Sequence, residues 1–389
     1  MINITNPIQC CGCNACAQRC PHKCITLQED SEGFLYPIIN INKCIKCNIC
    51  EKVCPIINTK QESTTIKTYA AINKDETIRQ ESSSGGIFSL IAKEIIINKG
   101  VVFGAIFDKE WMVKHTFFET IKELKYFRGS KYIQSRIEDC YIKAESFLKE
   151  NRLVLFSGTP CQIAGLKQFL RKDYENLITI DFICHGVPSP KVWKRYLYEI
   201  CHKEKEPYTI ESINFRNKKT GWKNYCFSIE LYNKFTHTKY SIDEKSNKNI
   251  FMQGFLKNIY LRPSCYHCCF RKGKSNSDIT IADYWNVHQI HKNIDDDKGV
   301  SLVLINSAKA LNLFNEINCL KIPSQKNEAL KFNEAYYYDP FLPKYRALFF
   351  KKIHNKKIIP TIKIIIFRNK LIGLKNRFLR KIRQFNPYF

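Results

Sequence analysis

Two short runs of cysteine constrain this chain more than anything else in it. The first is Cys10-x2-Cys13-x2-Cys16-x3-Cys20-Pro21, and the second repeats it as Cys44-x2-Cys47-x2-Cys50-x3-Cys54-Pro55. In that spacing three thiolates wrap one 4Fe-4S cubane, while the fourth, carried off by the proline, reaches the other. The assignment that follows is Cys10, Cys13, Cys16 and Cys54 to one cluster, and Cys20, Cys44, Cys47 and Cys50 to a second. A pair of structural zinc sites is the alternative, but zinc needs four ligands in two pairs and gives no reason for the doubled pattern with both prolines. Cys11 and Cys24 fall outside the pattern and read as spectators.

Between the runs, Ile25 to Gln28 and Phe34 to Ile38 read as short strands joined by a turn over Glu29 to Gly33. With a helical turn after each run, residues 1–60 form a small α+β, ferredoxin-like dicluster unit. Polar residues from Asn58 to Lys67 then read as a linker.

Beyond the linker the pattern alternates. Strands are expected at Thr68 to Ile72, Val101 to Phe107, Leu153 to Phe156 and Leu177 to Ile183, and later at Asp278 to Ala282 and Val300 to Ile305. Helices are expected after Gly86 with Ile87, Leu90, Ile91 and Ile95 as the apolar face, at Thr120 with Glu123 in capping-box spacing, and over Glu138 to Lys149, Ser189 to His202, Phe251 to Tyr260 and Ala308 to Ile317. Ile210 to Tyr240 reads as strands about a turn at Lys219 to Gly221. This favours one α/β catalytic region with a mixed sheet over residues 66–335, in two lobes of about 66–150 and 151–335.

With 389 residues there is room for several cores, and the 19 cysteines sit in cluster spacings rather than a small secreted frame. Met1 to Gln9 lacks the basic and apolar segments of an export signal, so the expectation is a reducing cytoplasm. No apolar run reaches the length of a membrane span; Ile358 to Phe367 is broken by Pro360 and Lys363. The net charge of +26 is uneven: fourteen Lys and Arg from Lys344 to Arg383 follow Asp339 with no acid after it, leaving +12 for the rest. Residues 340–389 therefore read as a basic amphipathic tail, whose interleaved Ile358, Ile362, Ile365, Phe378 and Leu379 suit the anionic inner face of a membrane. A helical cap on the catalytic region is the next choice, and nucleic acid the least favoured partner.

Several residues outside the first 60 have chemistry to offer. Ser82 to Gly86 sets small residues at a helix start, where backbone N–H groups favour phosphate or simply cap the helix. In Ser157 to Gln162, Thr159 suits an N-cap and Pro160 the first helical position, so Cys161 lies at the positive end of the helix, where a thiolate is stabilised. Cys184 ends a strand, and Cys265 and Cys268 form a Cys-x2-Cys pair beside Cys269. Cys161, Cys184, Cys265 and Cys268 would together complete a third cluster, a structural zinc site, or nothing more than buried thiols. His185, Lys131 and Asp283 have ordinary readings as satisfied polar groups.

The segments SSSGGIFS, RGSKYIQS, LFSGTPCQIAGLK, DFICHGVPSP, LRPSCYHCCF and SDITIADYW together resemble the coenzyme F420 hydrogenase/dehydrogenase beta-subunit family of iron-sulfur flavoproteins, over about residues 66–320. The resemblance implies a flavin-binding α/β domain holding FAD, with Ser83, Ser84, Gly85, Gly86, Lys131 and Thr159 as its contacts. It also implies that Cys161, Cys184, Cys265 and Cys268 ligate a flavin-proximal 4Fe-4S cluster, with Cys269 able to stand in for Cys268. The implied activity is that of an oxidoreductase relaying electrons between a ferredoxin-like partner, the clusters and FAD, with hydride transfer to or from a small organic substrate. Some family members reduce a deazaflavin coenzyme, and others accompany cell-surface polysaccharide enzymes; the Ile, Asn and Lys content here favours the second setting. The other reading is a non-catalytic electron-transfer subunit of a larger complex.

Overall fold

A computed structural model describes residues 1–202 and 208–385, with 372–385 as helix backbone alone. The strands are β1 (Ile25–Glu29), β2 (Leu35–Ile39), β3 (Lys67–Asn73), β4 (Val101–Phe107), β5 (Val113–Phe118), β6 (Val154–Ser157), β7 (Leu177–Phe182), β8 (Thr209–Asn217), β9 (Cys226–Asn233), β10 (Thr238–Lys245), β11 (Ile279–Asp283), β12 (Ser301–Ile305) and β13 (Cys319–Pro323). The helices are α1 (Ala15–Arg19), α2 (Ile49–Lys52), α3 (Glu76–Glu81), α4 (Ile87–Ile97), α5 (Cys140–Lys149), α6 (Pro160–Leu170), α7 (Pro190–Cys201), α8 (Ile250–Leu256), α9 (Ala308–Glu316), α10 (Lys326–Ala329), α11 (Arg346–Ile353) and α12 (Ile358–Phe385).

An eight-stranded mixed sheet, in the order β13-β3-β12-β11-β7-β6-β4-β5, forms the body. Its centre, β11-β7-β6-β4, is parallel, and antiparallel strands flank it on both sides. Because successive side chains leave a strand on opposite faces, β4 and β6 feed two cores at once. Val101, Phe103, Val154 and Phe156 pack with Tyr141, Leu148, Ile163 and Phe169 of α5 and α6. Val102 and Leu155 pack on the other face with Ile87, Ile91 and Ile95 of α4 and Phe314 of α9. Near-continuous apolar runs such as Val101-Val102-Phe103 are what a parallel strand covered on both faces requires.

Strands from before and after residue 150 interleave in this sheet, so a division there runs through one body. The separable part is a three-stranded antiparallel sheet, β10-β9-β8. It closes a second core with α7, α8 and the C-terminal helices, built on Trp193, Phe215, Phe227 and Phe251.

Two expectations need correction. Thr120 and Glu123 do interact side chain to side chain at 2.6 Å, but the segment Ile121–Phe127 is a 3-10 run rather than an α-helix. The residues after Asp339 are not a free amphipathic tail at their start. Phe349, Ile353, Ile358, Ile362 and Ile365 are all buried in the second core, and the Glu199 carboxylate of α7 accepts from the backbone N–H groups of Ile358 and Ile359 at the start of α12. The isoleucines whose spacing suggested a bilayer thus face protein; Ile364, Phe367 and Leu371 are the exposed ones. Phe378 and Leu379 lie outside the described side chains. Among the described residues no helix is long and apolar enough to cross a membrane.

In residues 1–60, β1 and β2 form an antiparallel hairpin beside α1 and α2. This unit is anchored to the body at several points. Phe34, at the tip of the hairpin, is fully buried in the second core. Arg19 forms two hydrogen bonds with Glu145 at 3.0 and 3.1 Å, and Arg346 holds the Glu32 carboxylate with both arms. Gly165 of α6 also lets the unit close in: a Cβ there would stand 2.7 Å from Cys13 Cβ and 3.0 Å from its Sγ.

Candidate redox centres

The eight N-terminal thiols lie close together, and four of them share a cavity. Cys20, Cys44, Cys47 and Cys50 line one small cavity of about 350 Å3, with Cys47 exposed. The other set is more enclosed, with Cys13, Cys16 and Cys54 buried and Cys10 partly so. Burial and the neighbouring Cys10 and Cys54 push the Cys16 thiol up to about 12, and burial with Cys10 also raises Cys54. Cys13 is raised too, despite a hydrogen bond with Cys11, by burial and by Cys16 and Cys54. Thiols crowded this way stay protonated until a metal centre supplies compensating positive charge.

The chain's later cysteines also converge. Cys161, Cys184, Cys265 and Cys268 line an open cavity of about 730 Å3 at the C-terminal edge of the parallel strands, where ligands of open α/β sheets bind. β6 leads to Cys161 through Ser157 to Pro160, and β7 ends just before Cys184; a 3-10 turn over Pro263–His267 brings Cys265 and Cys268. Cys269 reaches the same cavity, so it keeps its claim beside Cys268. Among the described residues no three His, Cys, Asp or Glu side chains are close enough to hold a single metal ion.

One expectation fails here. Thr159 is the N-cap of α6, with a capping box to Gln162 and Pro160 at the first position, as predicted. Cys161 is nonetheless not a stabilised thiolate. Its hydrogen bond with Cys11, and then burial, raise it well above the ordinary thiol range, outweighing the helix end. Cys265 is pushed up to about 11 and Cys268 to about 12, chiefly by burial.

The two spectators sit at the margins of these sites. Cys24 lies 3.3 Å, sulfur to sulfur, from Cys20. Cys11 lines the large cavity with Cys161 while its neighbour Cys13 belongs to the enclosed set, so it stands between the two. No spacing rule would have found either.

The serine-glycine loop is largely committed inward. The Gly85 N–H donates to Ser301 Oγ at 3.0 Å and Ser84 Oγ to the Val300 carbonyl at 2.8 Å. Gly86 is left-handed, with φ +81, and is the N-cap of α4, which has no side-chain cap. Ser83 Oγ receives both the N–H and hydroxyl of Ser130, linking the loop to the segment that carries Lys131. Burial alone lowers the Lys131 ammonium to about 7, and its Nζ donates only to carbonyls, of Phe127, Arg128 and Gly129. A second lysine, Lys218, reaches the loop from the far end of β8. It donates to the carbonyls of Arg79, Ser84 and Lys298 and is also lowered to about 7, by burial first. Neither lysine forms an ion pair among the described residues. Each ammonium is held by three backbone carbonyls beside a helix start that has no side-chain cap.

The remaining candidates have structural partners. His185 Nε2 lies 2.7 Å from Asn258 Oδ1, and Asp283 takes a two-armed ion pair from Arg216 and a hydrogen bond from Trp222 Nε1. Thr159 Oγ1 is spent on Gln162 and lies 3.1 Å from Cys161 Sγ. His115, unmarked in sequence, joins Ser135 to the Ser157 carbonyl and is held neutral by burial, its pKa lowered to about 4.

Converging thiols on a mixed α/β body define an iron-sulfur redox protein. Models for the N-terminal and C-terminal parts of the coenzyme F420 hydrogenase/dehydrogenase beta subunit match residues 68–140 and 151–324, together more than half the chain, and the chain belongs to that family. No curated protein matches it. Among solved structures it is similar to a chain of the F420-reducing [NiFe] hydrogenase complex from Methanosarcina barkeri, at 14% identity and a TM-score of 0.44, covering 81% of this chain and 93% of that one.

Proposed function

We propose that the chain is a ferredoxin-linked iron-sulfur flavoprotein oxidoreductase acting on a small organic substrate. Residues 1–60 would be its ferredoxin-like dicluster unit, holding two 4Fe-4S clusters on the two N-terminal thiol sets. A third would sit on Cys161, Cys184, Cys265 and Cys268. The observation that carries this reading is the seating of the enclosed N-terminal set against the large cavity, with Cys11 between them. FAD would take the ground above α4, with its diphosphate near Ser83, Lys131 and Lys218. Bound flavin exchanges one or two electrons and so joins one-electron clusters to a two-electron substrate. The chain's own part is to hold the cationic nest in place through Ser130 and Ser83, and to keep Lys131 and Lys218 out of solvent so that an anion is met at full strength.

Anaerobic reconstitution followed by iron, acid-labile sulfide and flavin analysis tests this. We expect about twelve irons and one FAD per chain; about eight irons with no flavin would reduce the proposal to an electron-transfer role. The family's description as a beta subunit favours a second reading, an electron-transfer subunit completed by a partner. Activity found only with a co-purifying subunit would establish it. The outer face of α12, with Lys363, Ile364, Phe367 and Lys370, would be the part to touch an anionic membrane. Binding to anionic liposomes that is unchanged in a chain ending at Leu371 would confine it to that stretch.

A further inference from the structure

Arg262 has no exposure at all and no ion pair among the described residues. Its Nε donates to the Cys10 carbonyl at 2.8 Å, one arm to Gln134 Oε1 at 3.0 Å, and the other to the Leu35 carbonyl at 2.9 Å, with Cys10 Sγ 3.5 Å away. The guanidinium lies 4.4 Å from the Tyr36 ring centre and 5.4 Å from that of Phe34. Gly12 is bare to admit it, since a Cβ there would stand 2.7 Å from its Nη1. A buried, unpaired guanidinium is costly unless an anion lies beside it. The anion this site offers is the enclosed thiol set that begins at Cys10. Among the described residues nothing comparable borders the other set, where the Met1 amine is paired with Glu51 and Lys46 is exposed.

We propose that Arg262 raises the reduction potential of the centre on Cys10, Cys13, Cys16 and Cys54 above that of the centre on Cys20, Cys44, Cys47 and Cys50. An electron delivered to the exposed set by a low-potential one-electron donor then runs inward towards the large cavity. The physical ground is simple. Reduction adds one negative charge to a site that already faces a fixed positive charge, and burial leaves that attraction little screened by solvent or salt. In the transfer the exposed centre loses one electron and the enclosed centre gains it, so no further reactant is needed. Arg262 is a positioning and tuning residue, since it touches the site through Cys10. The inference rests on the proposal that both N-terminal sets hold 4Fe-4S clusters.

The test is a reductive titration of the reconstituted full-length protein, followed by electron paramagnetic resonance, with iron and sulfide measured on every sample. Arg262→Gln removes the charge. Gln134→Glu leaves the arginine where it is and pairs it, with almost no change in shape. Both should lower the midpoint of the centre on Cys10, Cys13, Cys16 and Cys54 by a tenfold change in equilibrium constant or more, about 59 mV for one electron, and leave that of the centre on Cys20, Cys44, Cys47 and Cys50 in place; Arg262→Lys should retain most of the original value. If Arg262→Gln loses iron, Gln134→Glu decides alone. Full iron with unmoved midpoints, or the centre on Cys20, Cys44, Cys47 and Cys50 falling by as much as the centre on Cys10, Cys13, Cys16 and Cys54, overturns the proposal. A wild-type protein without iron in the N-terminal unit instead removes the reading beneath it.

Discussion

The two N-terminal thiol sets draw on runs of the same spacing, yet one is more enclosed than the other. Around the sealed set stand Arg262, Gly165 and Cys11, all from outside the repeat pattern or outside the unit. Around the open set, Cys47, Ile41 and Ile45 are exposed, the two isoleucines by 66% and 61%. The repeat therefore specifies ligands but not their surroundings. For electron carriers the surroundings matter as much, because solvent exposure and neighbouring charge set the potential of a given cluster.

The hardest blow to this asymmetry would be Gly165→Val. With no room beside Cys13, α6 and the sealed set cannot both keep their places, and overpacking there should cost roughly 3 kcal/mol. Iron should fall by about a third while the signal of the open set persists; loss of both signals together would show that the two sets are not independent. Next in size is Arg346→Ala, which leaves the partly buried Glu32 carboxylate without its two-armed partner. About 3 kcal/mol of stability should go, seen in denaturant melts, and limited proteolysis should release the unit before residue 67. Cys47→Ser sharpens the contrast from the other side: iron should again fall by about a third, but with the unfolding midpoint nearly unchanged, since that thiol supports no core.

The smallest effect lies away from both sets and serves as a control on them. Lys131 and Lys218 have folded-state values near 7, below the ordinary lysine value of 10.5. Between those two limits the unfolded chain binds more protons than the folded one, so the flavin-free protein should gain stability as pH rises from about 7 towards 10.5. Lys131→Met should flatten the slope in chemical denaturation series at stepped pH. An unchanged slope would mean that the ammonium is not enclosed as described.

Much of this was legible beforehand, for local reasons. The paired runs marked the N-terminal thiols as a group, period-two and 3.6-residue patterns located most of the central strands and helices, and Thr159-Pro160 announced the start of α6 to the residue. The third group, Cys161 with Cys184, Cys265 and Cys268, was proposed from sequence beside zinc and plain buried thiols, and it took a sheet edge to bring the four to one cavity. What stayed hidden depends on distant pairing. β5 and β13 are flanking strands whose mixed composition carries no clear period, and Lys218 reaches the serine loop from another sheet. Arg262 meets Cys10 across 252 positions, and Arg346 meets Glu32 across 314. The tail misled for a related reason: Ile358, Ile362 and Ile365 make an apolar stripe, and a stripe does not say whether lipid or α7 and α8 will cover it.

That long reach between Cys10 and Arg262 also orders events in time. A ribosome adding about 5 to 20 residues each second releases the N-terminal thiols and then spends roughly 12 to 50 seconds on the 252 positions before the arginine that covers them exists. During that interval the sealed set is as accessible as the open one. Machinery that delivers iron and sulfide can therefore reach both while the protein is being made, whereas a finished chain stripped of metal offers ready entry only at Cys47.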